Sequence, residues 1–275
     1  MLSNATITLW ATYFGFAAFG ACLGSFVSVL VSRGPHAFGL VHDPAAPASG
    51  VSYLAGPRSY CPKCGRTLSA IDLIPVVSFL MKRARCRYCN ALIARRYLAV
   101  ELAAAAAGVL SLALYGLSPL AIAMVIYLCG LMALALIDQD TGFLPDAITL
   151  PLIGLGLAVS PLATTPSPAM SMAGAAIGFS SLAALAWGYR LWRGIDGLGG
   201  GDAKLLAAAG SVSGPFALPI IVLFAAGSAL IVVAWGALRG KEVGLQSEVR
   251  FGPYLAMGAA AALPITQAGL IPIAW

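Results

Sequence analysis

The sequence predicts an all-α polytopic membrane protein with about eight transmembrane helices and a small cytoplasmic zinc-binding domain between the first two. Three observations lead to this fold. Of the 275 residues, 60% are hydrophobic and only 9% are charged, whereas soluble domains carry about 25% charged residues. The apolar content is enough for about eight spans of around 20 residues each. Four of the six cysteines fall in the one long polar segment of the chain.

Eight apolar runs predict the spans. They lie at 9–31, 98–117, 119–137, 147–163, 171–189, 203–213, 216–236 and 251–271. The sixth run is too short to cross a bilayer straight, so it is expected to extend into its flanks or to be re-entrant. No Lys or Arg precedes Arg33, and without a basic region the first run is expected to stay as an anchor.

The runs divide the chain into three predicted domains. Residues 1–32 form the first transmembrane helix, residues 33–97 the cytoplasmic four-cysteine zinc domain, and residues 98–275 a seven-helix membrane domain. The polar segment 32–97 holds ten of the sixteen Lys and Arg residues, and the positive-inside rule places such a segment in the cytoplasm.

Alternating spans then give the sidedness of the other loops. The loops at 138–146, 190–202 and 238–250 become cytoplasmic, and the last two of these carry basic residues. The external loops near 118, 164–170 and 214–215 contain no basic residue. Asp138 and Asp202 are therefore expected at the same, cytoplasmic, face.

These two aspartates have two interpretations. Asp138 ends the third apolar run and Asp202 follows three glycines. If they meet, they form a carboxylate dyad that can share one proton and activate water. Otherwise both are helix-end residues that face cytoplasmic water. Asp140 lies about 200° around a helix from Asp138, so it is not expected to share the site. Asp146 follows Pro145 and is interpreted as the N-cap of the fourth span.

The glycines at 199–201 also have two interpretations. A phosphate-binding loop would need a Lys-Ser/Thr pair and a preceding strand, and the sequence offers neither. We expect instead that Gly199 and Gly201 let backbone pass closely beside Asp202. The helix N-terminus and Lys204 should favour the charged form of Asp202, whereas a helix C-terminus disfavours it at Asp138. Asp202 is therefore predicted as the base and Asp138 as the acid.

Four cysteines have the spacing of a structural zinc site. Cys61, Cys64, Cys86 and Cys89 form the pattern C-x2-C-x21-C-x2-C, and four thiolates fill a tetrahedral coordination sphere. Redox sensing, or no metal, are the alternatives. The basic residues around them favour anionic lipid over nucleic acid, because the segment is tethered close to the bilayer.

Short motifs over nearly the whole chain resemble those of the type IV prepilin peptidases. Residues 199–204 fit the family's G-x-G-D-x-K motif, and residues 137–146 resemble its first aspartate motif. The other matching motifs are Gly24-Ser25-Phe26, Arg33, the four cysteines, Ile74-Pro75, Arg96-Tyr97, Glu101 and Phe251-Gly252-Pro253-Tyr254-Leu255. The resemblance implies that Asp138 and Asp202 are catalytic, with Gly199, Gly201 and Lys204 supporting the site.

The resemblance also implies a function. Enzymes of this family are multi-pass proteins of the bacterial inner membrane that cleave the basic leader of prepilins or pseudopilins after a Gly, at the cytoplasmic face. They then methylate the new N-terminus with S-adenosylmethionine, and their products feed type IV pili or type II secretion. At Ala70-Ile71-Asp72-Leu73 the chain departs from the family pattern, in the domain tied to methylation. No methyl-donor residue is assigned. The alternatives are a transporter or proton-coupled channel with a cytoplasmic zinc domain, and a methyltransferase without peptidase activity.

Overall fold

The structure is a computed structural model that describes residues 4–39, 54, 56, 58–163, 166–194, 199–239 and 250–267. Those residues form nine α-helices: α1 Asn4–Ala37, α2 Val77–Met81, α3 Arg95–Tyr115, α4 Pro119–Thr141, α5 Asp146–Val159, α6 Pro168–Arg193, α7 Gly200–Ser213, α8 Leu218–Leu238 and α9 Gly252–Gln267. Short 3-10 turns lie at Ala70–Leu73, Ser160–Leu162 and Pro215–Ala217. Extended pairing within the described ranges is limited to two isolated bridges, Tyr60 with Thr67 and Arg85 with Leu92.

The helices confirm the all-helical fold, but not the count of eight spans. Each predicted apolar run contains a helix, although the end of the eighth run lies outside the described residues. Five described segments are long and apolar enough to cross a membrane: Thr6–Ala37, Arg95–Tyr115, Pro119–Thr141, Pro168–Arg193 and Pro215–Leu238. Helices α5, α7 and α9 are shorter. The 14 residues of α7 extend about 21 Å, less than the ~30 Å hydrocarbon core.

The chain divides into two compact units, Met1–Cys129 and Gly130–Trp275, with the division inside α4. In the first unit α1 packs along α3. Their backbones approach so closely that a side chain at Gly20 would overlap the main-chain oxygen of Ala104, and one at Gly108 would overlap that of Phe16. Small residues at crossing points are typical of helices that associate in membranes.

Glu101 on α3 joins the membrane helices of the first unit to the polar segment. Its carboxylate accepts hydrogen bonds from the Ser25 hydroxyl at 3.2 Å and from the main-chain N–H of Val76 at 2.7 Å. Val76 has φ 60°, a strained conformation for a β-branched residue. The bond to Glu101 therefore fixes the strained start of α2.

Asp72 lies in the stretch Ala70–Leu73, where the sequence departs from the family pattern. Its carboxylate accepts from the main-chain N–H of Ser69 at 2.9 Å and from the Ser69 hydroxyl at 2.8 Å. It also forms an ion pair with Lys82. Asp72 thus ties the 3-10 turn Ala70–Leu73 to the end of α2.

In the second unit α7 is the central helix. It packs against α5, α6 and α9, and ten of its 14 residues are buried. Gly174 on α6 and Gly210 on α7 face each other, and a side chain at either would overlap the main-chain oxygen of the other. Neighbouring helices, in place of lipid, therefore cover a helix too short to span, and its first turn carries Asp202.

The α6–α7 crossing predicts a selective effect of one methyl group. Gly174→Ala should lower Tm in detergent by several degrees, since main chain cannot move aside as a side chain can and overpacking costs about 1–3 kcal/mol. Gly188→Ala is the matched control on the same helix, because nothing lies within 4 Å of a Cβ built there. Equal Tm values for the two variants, measured by thermal unfolding, would contradict the close crossing.

Candidate active site and metal centre

Asp138 is buried near the end of α4. Only 5% of it is exposed, and Ile137 and Leu134 beside it are fully buried. Its Oδ2 has no hydrogen-bond partner among the described residues. Burying a carboxylate oxygen without a hydrogen-bond donor costs folding free energy. Such a cost is typical of a catalytic position. Asp140 is exposed, as the helix geometry predicts.

Gly252, at the start of α9, covers the Asp138 carboxylate. A Cβ built on Gly252 would lie 2.6 Å from Oδ2 and 2.9 Å from Cγ of Asp138. Only glycine therefore fits here. Gly252 belongs to a motif that resembles the family's but was not among the predicted site residues. The signal for it in the sequence is a glycine next to Pro253.

Asp202 lies in the first turn of α7 and is 8% exposed. Burial, and after it the negative charge of Asp138, raise the pKa of its carboxyl to about 6, although a hydrogen bond from the Gly199 backbone opposes the shift. The two carboxyl groups are thus close enough to act on each other's charge. The expectation that its surroundings favour the charged form of Asp202 is wrong, because burial outweighs the helix N-terminus.

Lys204 does not neutralise Asp202. Its Nζ lies 2.6 Å from Oδ1 of Asp146, in an ion pair that is partly exposed. The pair joins the first turn of α7 to the first turn of α5, and at such exposure contributes at most about 1 kcal/mol. Asp146 is also not the N-cap: that position is Pro145, and Asp146 is the first helical residue. Lys204 therefore joins the starts of α5 and α7.

The glycines before Asp202 differ in their surroundings. A Cβ on Gly201 would lie 2.8 Å from Cβ of Leu144, so the start of α7 passes close to the segment that follows α4. A Cβ on Gly199 would lie 3.6 Å from Oδ2 of Asp202, and Gly200 has open space. Gly199 has an extended conformation as the N-cap of α7. The need for glycine is therefore steric and strongest at Gly201.

The four cysteines of the polar segment form one cluster in the first unit. The Sγ atoms of Cys61, Cys64, Cys86 and Cys89 all lie within 4.8 Å of one another. The Sγ atoms of Cys61 and Cys89 are 3.8 Å apart. Tetrahedral coordination at a Zn–S distance of about 2.3 Å requires thiolates about 3.8 Å apart. The cluster therefore fits a single metal ion.

Two nearly identical loops build this cluster. In each, the residue four positions after the first cysteine donates its N–H to the carbonyl of that cysteine: Gly65 to Cys61 at 2.8 Å, and Asn90 to Cys86 at 3.0 Å. Gly65 and Asn90 both have positive φ, at 69° and 56°, which glycine and asparagine tolerate best. The repeated turn brings each pair of thiols to the same side of its loop.

Main-chain N–H groups prepare one thiol for metal binding. The N–H of Tyr88 points to Sγ of Cys86 at 3.5 Å, and with the N–H of Cys89 it lowers the pKa of the Cys86 thiol to about 6. Thiolate is the form that binds metal. The loop therefore favours a metal ligand at neutral pH.

Comparison with known proteins places both sites in one family. Residues 18–115 match the Bacterial Peptidase A24 N-terminal domain, and residues 125–235 match the Type IV leader peptidase family. A prepilin leader peptidase/N-methyltransferase of Burkholderia pseudomallei is 40% identical over 259 residues, 89% of this chain and 82% of that protein. Proteins of the same name from Stutzerimonas stutzeri and Pseudomonas aeruginosa are 35% and 36% identical, over 89% and 86% of this chain and 87% and 85% of theirs.

No solved structure matches the chain. The first matched range, 18–115, contains the four-cysteine cluster, and the second, 125–235, contains both aspartates. The buried carboxylates, the cysteine cluster and the extent of these similarities lead to one conclusion: the chain belongs to the type IV leader peptidase family.

Proposed function

We propose that this protein cleaves the leader of a prepilin or pseudopilin by aspartyl hydrolysis, with Asp138 and Asp202 as the catalytic pair. The observation that carries the proposal is the pair of buried carboxyl groups, which interact electrostatically although they are 64 residues apart in sequence. Two carboxyl groups this close hold one proton between them near neutral pH. That protonation state provides an acid and a base in one site.

The reaction then needs no covalent intermediate. The protonated carboxyl donates a hydrogen bond to the scissile carbonyl oxygen, and the ionised carboxylate takes a proton from water as the water oxygen attacks the carbonyl carbon. The tetrahedral intermediate collapses with release of the amine, which takes its proton from the dyad. With a pKa of about 6, Asp202 is mostly ionised at neutral pH but can take up a proton readily, so the two carboxyl groups are treated as one titrating pair.

The substrate follows from the family. The relatives are named prepilin leader peptidase/N-methyltransferase, and we assign the same two reactions to this chain. The leader is cleaved after a Gly at the cytoplasmic face of the bacterial inner membrane. The methyl group of S-adenosylmethionine then passes from the sulfonium sulfur to the new N-terminal amine, which loses a proton. The products serve type IV pili or type II secretion.

The cysteine cluster supports a structural zinc ion. Four cysteine ligands leave no open coordination position, so zinc would stabilise the fold of the polar segment and take no part in hydrolysis. The described residues offer no feature that favours the alternative of a transporter: Asp138 and Asp202 both lie at helix ends and not in the middle of a span.

Single substitutions of the aspartates test the dyad. Asp138→Asn and Asp202→Asn should each reduce leader cleavage about 10²–10⁴-fold, because general acid–base catalysis contributes that much and an amide can take neither role. Asp140→Asn is the matched control, since Asp140 is exposed, and it should change the rate much less. The measurement is the rate of conversion of a purified prepilin, followed by mass spectrometry. Retained cleavage in either of the first two variants would exclude the dyad.

Removal of two thiols tests the zinc site. The double variant Cys61→Ser, Cys64→Ser should lose its zinc, from about one ion per chain to none, because two ligands cannot hold a structural ion. Its polar segment should also become sensitive to limited proteolysis. Cys22→Ser, outside the cluster, should keep its metal. Elemental analysis of purified protein gives the answer, and a wild-type protein without zinc would refute the assignment.

A further inference from the structure

The last turn of α4 meets the start of α9 at two points. At the first, Nη1 of Arg250 donates a hydrogen bond to the main-chain oxygen of Gln139, the residue after Asp138. This carbonyl lies among the last four of α4, which lack partners inside the helix. Nε of Arg250 also lies near Gly142, 3.8 Å from a Cβ built there. A guanidinium in this position satisfies a helix-end carbonyl and opposes the negative end of the helix dipole.

The second point is the carboxylate itself. Gly252, two residues after Arg250, lies against Oδ2 and Cγ of Asp138. The helix that Gly252 begins is anchored by Leu255, which is fully buried and donates its N–H to the oxygen of Phe251 at 3.1 Å. The start of α9 therefore holds both the backbone and the side chain at the end of α4.

Charge adds to this contact. The Arg250 guanidinium is close enough to act on the charge of Asp138, and the charge of Asp138 in turn acts on Asp202. Arg250 nevertheless donates its hydrogen bond to the main-chain oxygen of Gln139. The oxygen Oδ2 of Asp138 is buried against Gly252 and has no hydrogen-bond partner among the described residues.

We infer that Arg250 is a positioning residue for leader hydrolysis: it holds the end of α4 against the start of α9, and thereby sets the Asp138 carboxylate between Gly252 and Asp202. This inference rests on the proposed peptidase function. The hydrogen bond from Arg250 fixes the position of the last turn of α4 relative to the start of α9. The contact with Gly252 fixes the Asp138 side chain. Loss of the first leaves the second intact, so the site stays assembled but less well aligned.

Three variants test the inference in detergent with a purified prepilin as substrate. Arg250→Gln should lower kcat about tenfold or more, with KM and Tm nearly unchanged, because a displacement of about 1 Å at a catalytic group can cost 10²-fold in rate. Arg250→Lys should recover most of the lost kcat, since an ammonium can also donate to the carbonyl of Gln139. Arg239→Gln is the matched control: that cation lies over the Trp235 ring, and its loss should leave kcat unchanged.

Wild-type kcat in Arg250→Gln would overturn the inference, as would a loss seen only in KM or an equal loss in Arg239→Gln. If Arg250→Gln fails to fold, Gly252→Ala replaces it. Its added methyl would press on the buried Asp138 carboxylate, so kcat should fall while KM stays near the wild-type value; unchanged kcat again overturns the inference. The proposed function fails separately, if wild type does not cleave or Asp202→Asn does.

Discussion

The second unit is organised around the burial of two carboxyl groups at neighbouring helix ends. An ionised carboxylate loses several kcal/mol of hydration when it leaves water, and Asp138 and Asp202 are both less than one tenth exposed. The two cations described at this site, Lys204 and Arg250, form their hydrogen bonds with other groups. Lys204 binds Asp146, and Arg250 binds a main-chain oxygen. Burial, and after it the charge of Asp138, therefore raise the pKa of the Asp202 carboxyl to about 6.

The helices of this unit place the carboxyl groups through close contacts of backbone with backbone. Helix α7 is buried by α5, α6 and α9, and it can lie this close to α6 because Gly174 and Gly210 have no side chains. Gly201 lets the start of α7 lie against Leu144. Gly252 lets the start of α9 lie against Asp138. The first unit separately uses two repeated cysteine loops to gather four thiols.

The parts of this arrangement that depend on local pattern could be predicted from the sequence. Apolar runs predicted the helices, and the spacing of the cysteines predicted the cluster. The angle between residues on a helix predicted that buried Asp138 and exposed Asp140 lie on different faces. The partner of Lys204, the burial of Asp202 and the role of Gly252 could not be predicted, because each depends on residues brought together from distant parts of the chain. Hydropathy alone also does not decide whether the short helices span, since a short apolar helix covered by protein resembles one covered by lipid.

The central claim is that Asp138 and Asp202 face each other in one site, and cross-linking measures this directly. In the double variant Asp138→Cys, Asp202→Cys, a short bifunctional thiol reagent should join the two positions, because the Asp138 and Asp202 side chains are close enough for the charge of one to act on the other. Mass spectrometry of the digest should then find the peptide containing both. The pair Asp140→Cys, Asp202→Cys should not cross-link. A cross-link in the second pair and none in the first would contradict the account.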